Sequence, residues 1–170
     1  MTGELPREAY LMYDDILIPT DGSEQATNAV KSGLSLAAEL GATVHVLTVL
    51  DEFESRIVPL TGEGEERRQE YEDRGEEIVT EVAKAADELG VDCETAVRTG
   101  QVHVEIQEYV DEAGIDLVVM GSRGLTNLEK VLLGSTADKT IRTVDVPTMV
   151  VHRPPQSFVD FDREIHLAGW

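Results

Sequence analysis

Cysteine is all but missing from this chain, where Cys93 is the only one. One thiol can neither close an intrachain disulfide nor build a metal–thiolate cluster. Its surroundings, Val91-Asp92-Cys93-Glu94-Thr95-Ala96-Val97, alternate as a strand does, so a buried strand thiol is expected rather than a nucleophile. Long apolar runs are missing too: no stretch reaches the roughly 18–20 residues that span a bilayer. Met1 to Asp15 lacks a basic segment followed by an apolar one, so no secretory leader is expected, and the expected compartment is the cytoplasm. Basic residues are scarce, with 14 Lys and Arg against 34 Asp and Glu and a formal net charge of -20. A small domain needs only about 2–8 charges of one sign for solubility. Such an excess repels nucleic-acid phosphates and anionic lipid, so neither is expected as a partner. Acidity spread along the chain, densest over Glu63–Glu77, suits a halophilic protein whose self-repulsion is screened by salt; an ordinary acidic surface is the alternative. His45, His103, His152 and His166 are far apart, show no metal-ligand spacing and read as structural.

What is present is an alternation of short apolar runs with helical patterns. With 170 residues, 41% of them hydrophobic, the chain suffices for one domain with a sizeable core. Ile16-Leu17-Ile18 forms a first strand ending at Pro19. Ser23 caps a helix that runs to about Leu40 and stops at Gly41. Thr43 to Leu50, rich in β-branched residues, is the second strand. Asp51 to Gly64 reads as irregular, with Pro59, Gly62 and Gly64 as breakers, and a long helix follows over about 65–89. Val91 to Arg98, then Val102 to Ala113, form the third strand and its helix. Asp116 to Met120 is apolar without alternation, the mark of a parallel strand buried on both faces. A helix over about 135–144 and a fifth strand from Pro147 to Val151 complete the series. Such alternation predicts a doubly wound five-stranded parallel sheet with helices on both faces. Residues 1–153 make the domain. The tail, 154–170, lies outside the pattern, and its Phe158, Phe161, Leu167 and Trp170 are compatible with packing or with loose order.

Doubly wound sheets take ligands beyond the carboxyl ends of their strands, where strand order reverses. Two post-strand segments therefore matter: Pro19-Thr20-Asp21-Gly22-Ser23, and Gly121-Ser122-Arg123-Gly124, followed nine residues later by Gly134-Ser135-Thr136 at a helix start. Gly121 and Gly124 have no Cβ to obstruct an approaching anion. Ser135 and Thr136 set hydroxyls beside the unpaired N–H groups of a helix N-terminus, which attracts phosphate. Any one of these glycines alone would read as a turn residue. Together, directly after a buried strand, they read as a triphosphate cradle.

The spacing Gly121-x2-Gly124-x9-Gly134-Ser135 resembles the ATP-binding signature of the universal stress protein family, and the likeness runs from about Tyr13 to His152. The resemblance implies strand order 3-2-1-4-5, an adenine-nucleotide alpha-hydrolase-like fold, and Asp21 and Gly121 flanking one crevice. Position by position it implies Pro19, Thr20 and Asp21 at the ribose and adenine, and the Val49 main chain at the adenine edge. It places Met120 and Gly121 beside the nucleoside, and Gly124, Gly134, Ser135 and Thr136 at the phosphates. Asp21 as a turn residue, Val49 as core and Met120 as a gap-filler are the plainer alternatives. Arg123 and Lys130 are the basic residues of the phosphate loop; Arg123 is counted with the site, Lys130 with solvent.

The expected ligand is ATP, with AMP and ADP as alternatives, and any Mg2+ held mainly by the phosphates. No general base, nucleophile or oxyanion hole is evident, so a regulatory protein with at most slow ATP hydrolysis is expected rather than an enzyme. An adenylyl-transfer enzyme would want a His- or Lys-rich motif near the first helix, which Gly22-Ser23-Glu24-Gln25-Ala26 does not supply. P-loop and Rossmann dinucleotide fingerprints are absent. The remaining alternative is an interaction module of the same fold that works without nucleotide. The fifth strand, Val146 to His152, should lie at the sheet edge, and both that edge and the resemblance imply a homodimer through it. Pro147 and the tail from Pro154 would blunt the same edge.

Overall fold

The computed structural model describes residues 13–51, 62–122 and 133–152. Among these residues five strands and four helices alternate: β1 (Asp15–Pro19), α1 (Glu24–Leu40), β2 (Thr43–Asp51), α2 (Gly62–Glu88), β3 (Cys93–Gly100), α3 (Val102–Ala113), β4 (Leu117–Gly121), α4 (Ser135–Thr143) and β5 (Thr148–Val151). They build one parallel sheet in the order β3-β2-β1-β4-β5. This is the doubly wound architecture that the alternation and the resemblance imply, with β5 at one edge.

Alternating side chains divide the core between the two faces of the sheet. Ile16, Ile18, Val44, Val46, Leu117 and Val119 pack under α1 and α2, against Val30, Leu34, Val79 and Val82. Leu17, Leu47, Val118 and Met120 point the other way, toward Ile106 and Val110 of α3 and Ala137 of α4. Ile16, Leu17 and Ile18 are fully buried, so β1 is apolar on both faces, as a central parallel strand must be.

The caps of α1 follow from its sequence. Ser23 Oγ accepts the Ala26 N–H at 3.3 Å, and Gly41 ends the helix at φ 68°, a left-handed conformation that glycine adopts without strain. Two elements shift by two residues or more from the sequence reading, the others by one at most. α2 begins at Gly62 and so takes in Gly62 and Gly64, which read as breakers; the first four N–H groups of any helix have no intrahelical partner, and glycine there forfeits little. β3 runs over 93–100 rather than 91–98, because the Val91 N–H still bonds to Ala86 O at 2.9 Å, closing α2, while Thr48 to Asp51 extend the pairing to Gly100. The tail and the loop residues Arg123, Gly124 and Lys130 lie outside the described residues.

Candidate functional site

Beyond the carboxyl ends of β1, β2 and β4 opens a cleft of about 560 Å³. It lies where strand order reverses: β1 leads into α1 on one face, and β4 into α4 on the other. Pro19, Thr20, Asp21, Val49, Met120, Gly121, Gly134, Ser135 and Thr136 all line it, so every described residue that the sequence assigns to the site is there.

The β1 wall is pinned from beneath. Buried Thr20 donates its N–H to Leu47 O at 2.9 Å, its carbonyl accepts Thr48 Oγ1 at 2.9 Å, and its own Oγ1 accepts the Gly22 N–H at 3.2 Å. Gly22 turns the chain at φ 78°, and a Cβ there would come within 3.2 Å of Ile78 Cδ1 on α2. Asp21 Oδ1 accepts the Ser23 N–H at 3.0 Å, so this exposed carboxylate shapes the turn as well as lining the cleft.

β2 outruns β1 at this end. Leu47 turns its carbonyl toward β1, where it meets Thr20. Same-facing groups recur every second residue along a strand, so the N–H and C=O of Val49 face the same side, beyond the last β1 residue, Pro19. Among the described residues no backbone group pairs with them on that side. A donor and an acceptor on one residue, open to a cleft, suit the edge of a planar heterocycle.

On the β4 side, Met120 is 4% exposed and floors the cleft. Gly121 has a structural reason of its own: a Cβ there would sit 2.5 Å from the carbonyl oxygen of Gln25 in the first turn of α1. Close helix–strand packing, rather than ligand approach alone, excludes a side chain at this position. At the start of α4, Gly134 is an N-cap with no side-chain cap bond, and the first intrahelical bond runs from Asp138 N to Gly134 O at 2.9 Å. The N–H groups of Ser135, Thr136 and Ala137 precede that bond and are open to an anion. The fourth wall was not foreseen from the sequence: Tyr71, Arg74, Gly75 and Ile78 of α2 close the outer side.

Chemistry away from the cleft is structural. His45 is buried, with Nε2 3.0 Å from Asp15 Oδ1 and Nδ1 3.1 Å from the Tyr109 hydroxyl. Arg98 stacks over Tyr109 with its guanidinium carbon 4.8 Å from the ring centre, and pairs with Glu112. Burial, then the neighbouring Glu94 carboxylate, pushes the Cys93 thiol up to about 11, keeping it protonated. Buried Ser122 meets His152 Nδ1 at the end of β5. Among the described residues, no three His, Cys, Asp or Glu side chains converge as a metal group, and no helix is long and apolar enough to cross a membrane.

A model of the universal stress protein family matches residues 12–152. The chain is 36% identical over 143 residues to universal stress protein MJ0531 of Methanocaldococcus jannaschii, covering 84% of each. Its structure is similar to that of MJ0577 from the same organism, with a TM-score of 0.72 at 30% identity over 85% of this chain and 99% of the other. It is also similar to a universal stress protein in complex with cAMP, with a TM-score of 0.61 at 25% identity over 83% and 98% of the two chains.

Proposed function

The chain belongs to the universal stress protein family, and on that premise we propose that it is an adenine-nucleotide-binding regulatory protein whose principal ligand is ATP. One observation carries the reading: a single cleft holds, at one side, the N–H and C=O of Val49, which no backbone group among the described residues pairs on that side, and, at another, the start of α4 at Gly134-Ser135-Thr136, which has no side-chain cap bond. The first suits a base edge and the second a phosphate chain. Asp21 stands on the β1 wall with one oxygen engaged by Ser23, leaving the other for a ribose hydroxyl. The structural neighbour in complex with cAMP supports an adenine nucleotide as the class of ligand. AMP, ADP and cyclic nucleotides would share the base contacts and differ at α4.

We assign binding rather than rapid turnover to the site. Its described lining includes no histidine, cysteine or lysine to act as base or nucleophile. A divalent ion would be held mainly by the phosphates. Self-association through β5 completes the proposal. Leu133, Ile141 and Met149 are exposed large apolar side chains on or beside α4 and β5, at the edge where a second copy would pair. Regulation by nucleotide in a salt-adapted cytoplasm would follow.

The test is to purify the protein, denature it and identify any released nucleotide by mass spectrometry, then to titrate the apoprotein with ATP and adenosine. Gly134→Val keeps an accessible backbone, since Gly134 has φ −64°. It should weaken ATP at least tenfold and leave adenosine nearly unchanged. A folded wild type that neither carries nor binds an adenine nucleotide refutes the proposal and favours a nucleotide-independent interaction module. The packing reason for Gly121 gives that second reading its footing, because the glycine would persist without a ligand.

A further inference from the structure

α2 is 27 residues long, about 40 Å, whereas the neighbouring strand β3 has 8 residues, about 26 Å. A helix that much longer than the sheet must overhang one end of it. Gly75 marks where α2 leaves the sheet: a Cβ there would stand 2.9 Å from Val97 Cγ1 and 3.4 Å from Leu50 Cδ2, so the helix lies directly on the carboxyl ends of β2 and β3. Three residues further along, Ile78 abuts Gly22 of the β1 wall. The helix is thereby fixed on two sides of the cleft, and its preceding turn projects over the opening.

That turn carries Tyr71. Tyr71, Arg74, Gly75 and Ile78 fall at i, i+3, i+4 and i+7, one stripe of a helix, and all four line the cleft. Tyr71 is the sole aromatic residue of α2, on a stretch otherwise given over to charged residues. It is 42% exposed, one turn or about 6 Å beyond the glycine that docks the helix. A core role accounts for Ile78 and the residues after it, which descend into the sheet. It does not account for a large aromatic ring held above an open cleft.

We propose that Tyr71 is the base platform of the site, its ring stacking on the nucleobase whose edge meets the Val49 backbone. The inference rests on the nucleotide reading above and adds a residue that the glycine signature does not contain. Aromatic–base stacking is tolerant of base identity, because every base has a π-face. Tyr71 therefore contributes affinity for the nucleoside, while the Val49 backbone reads the base.

The experiment measures dissociation constants for adenosine, AMP and ATP with wild type, Tyr71→Phe, Tyr71→Trp and Tyr71→Ala, each checked for fold by circular dichroism. Phe and Trp should stay within about threefold of wild type. Ala should lose about 5–150-fold, the equivalent of 1–3 kcal/mol per stacked base. The factor should be the same for all three ligands, because they share only the nucleoside. An Ala variant that binds like wild type, or a loss that grows with the number of phosphates, overturns the proposal. A wild type that binds none of the three refutes the nucleotide reading itself, a distinct result.

Discussion

Gly121, the last residue of β4, lies against the carbonyl of Gln25 so closely that a Cβ would stand 2.5 Å from the oxygen and 2.7 Å from the carbon. Both are backbone atoms of the first turn of α1 and cannot swing aside. Gly121→Ala must push α1 off β4, and over-packing of this kind costs about 1–3 kcal/mol. We expect the thermal midpoint to fall by roughly 2–12 °C for a domain of this size. The fall should appear without nucleotide present. A variant as stable as wild type that merely binds ATP less well would show that the glycine serves the ligand alone.

Local chemistry made most of this fold legible. Ser23 and Gly41 mark both ends of α1 because cap and left-handed terminus are encoded in single residues. Ile16-Leu17-Ile18 reads as a short strand because no polar residue interrupts it, and all three side chains are fully buried. Gly134-Ser135-Thr136 reads as a helix start and is one. Relations between distant elements were harder to see. Nothing in the neighbourhood of Gly121 reveals Gln25, nearly a hundred residues away. The open backbone of Val49 depends on β1 ending at Pro19, a matter of register that only pairing shows. Tyr71 was hidden by the charged residues around it, although its spacing to Gly75 and Ile78 was a helical signal within the sequence.

At the opposite end of the sheet, the Tyr109 hydroxyl meets His45 Nδ1 at 3.1 Å, and both residues are buried. Tyr109→Phe keeps the ring under Arg98 and removes that one partner. Losing a buried hydrogen bond should cost about 1–2 kcal/mol, read as a lower urea midpoint with an unchanged slope. Affinity for adenosine should not move, since neither residue lines the cleft. Unchanged stability would mean that Glu94, whose carboxylate lies 3.7 Å from the same nitrogen, takes over the contact.

Cys93 opens β3 half-buried, and burial, with Glu94 second, raises its thiol from 9.0 to about 11. Alkylation by iodoacetamide requires the thiolate. The native rate should therefore climb about tenfold per pH unit and level off only near pH 11, whereas in denaturant it levels near 9. Glu94→Gln should move the native plateau downward. The sign for stability follows from the same shift. The folded state holds the thiol proton more tightly than the unfolded one, so this contribution is intact below pH 9 and is lost as pH rises through 11. A native plateau near 9 would show a solvent-exposed thiol.

A formal charge of -20 makes the folded state self-repelling. Salt screens attraction and repulsion alike, so the direction of its effect depends on which dominates. The exposed pairs Arg68–Glu72 and Arg142–Asp138 are i,i+4 contacts between solvated side chains. Solvent screens both pairs, so they offset little of the acidic excess. Raising KCl from about 0.1 M to about 1 M shortens the screening length from about 10 Å to about 3 Å. The thermal midpoint should therefore rise across that range, and NaCl should act equally if screening is the cause. Changing Glu76, Glu77 and Glu88 to Gln, all exposed on α2, should flatten the slope and raise the low-salt midpoint. A midpoint that falls with salt would mean that ion pairs, rather than repulsion, govern the stability of this surface.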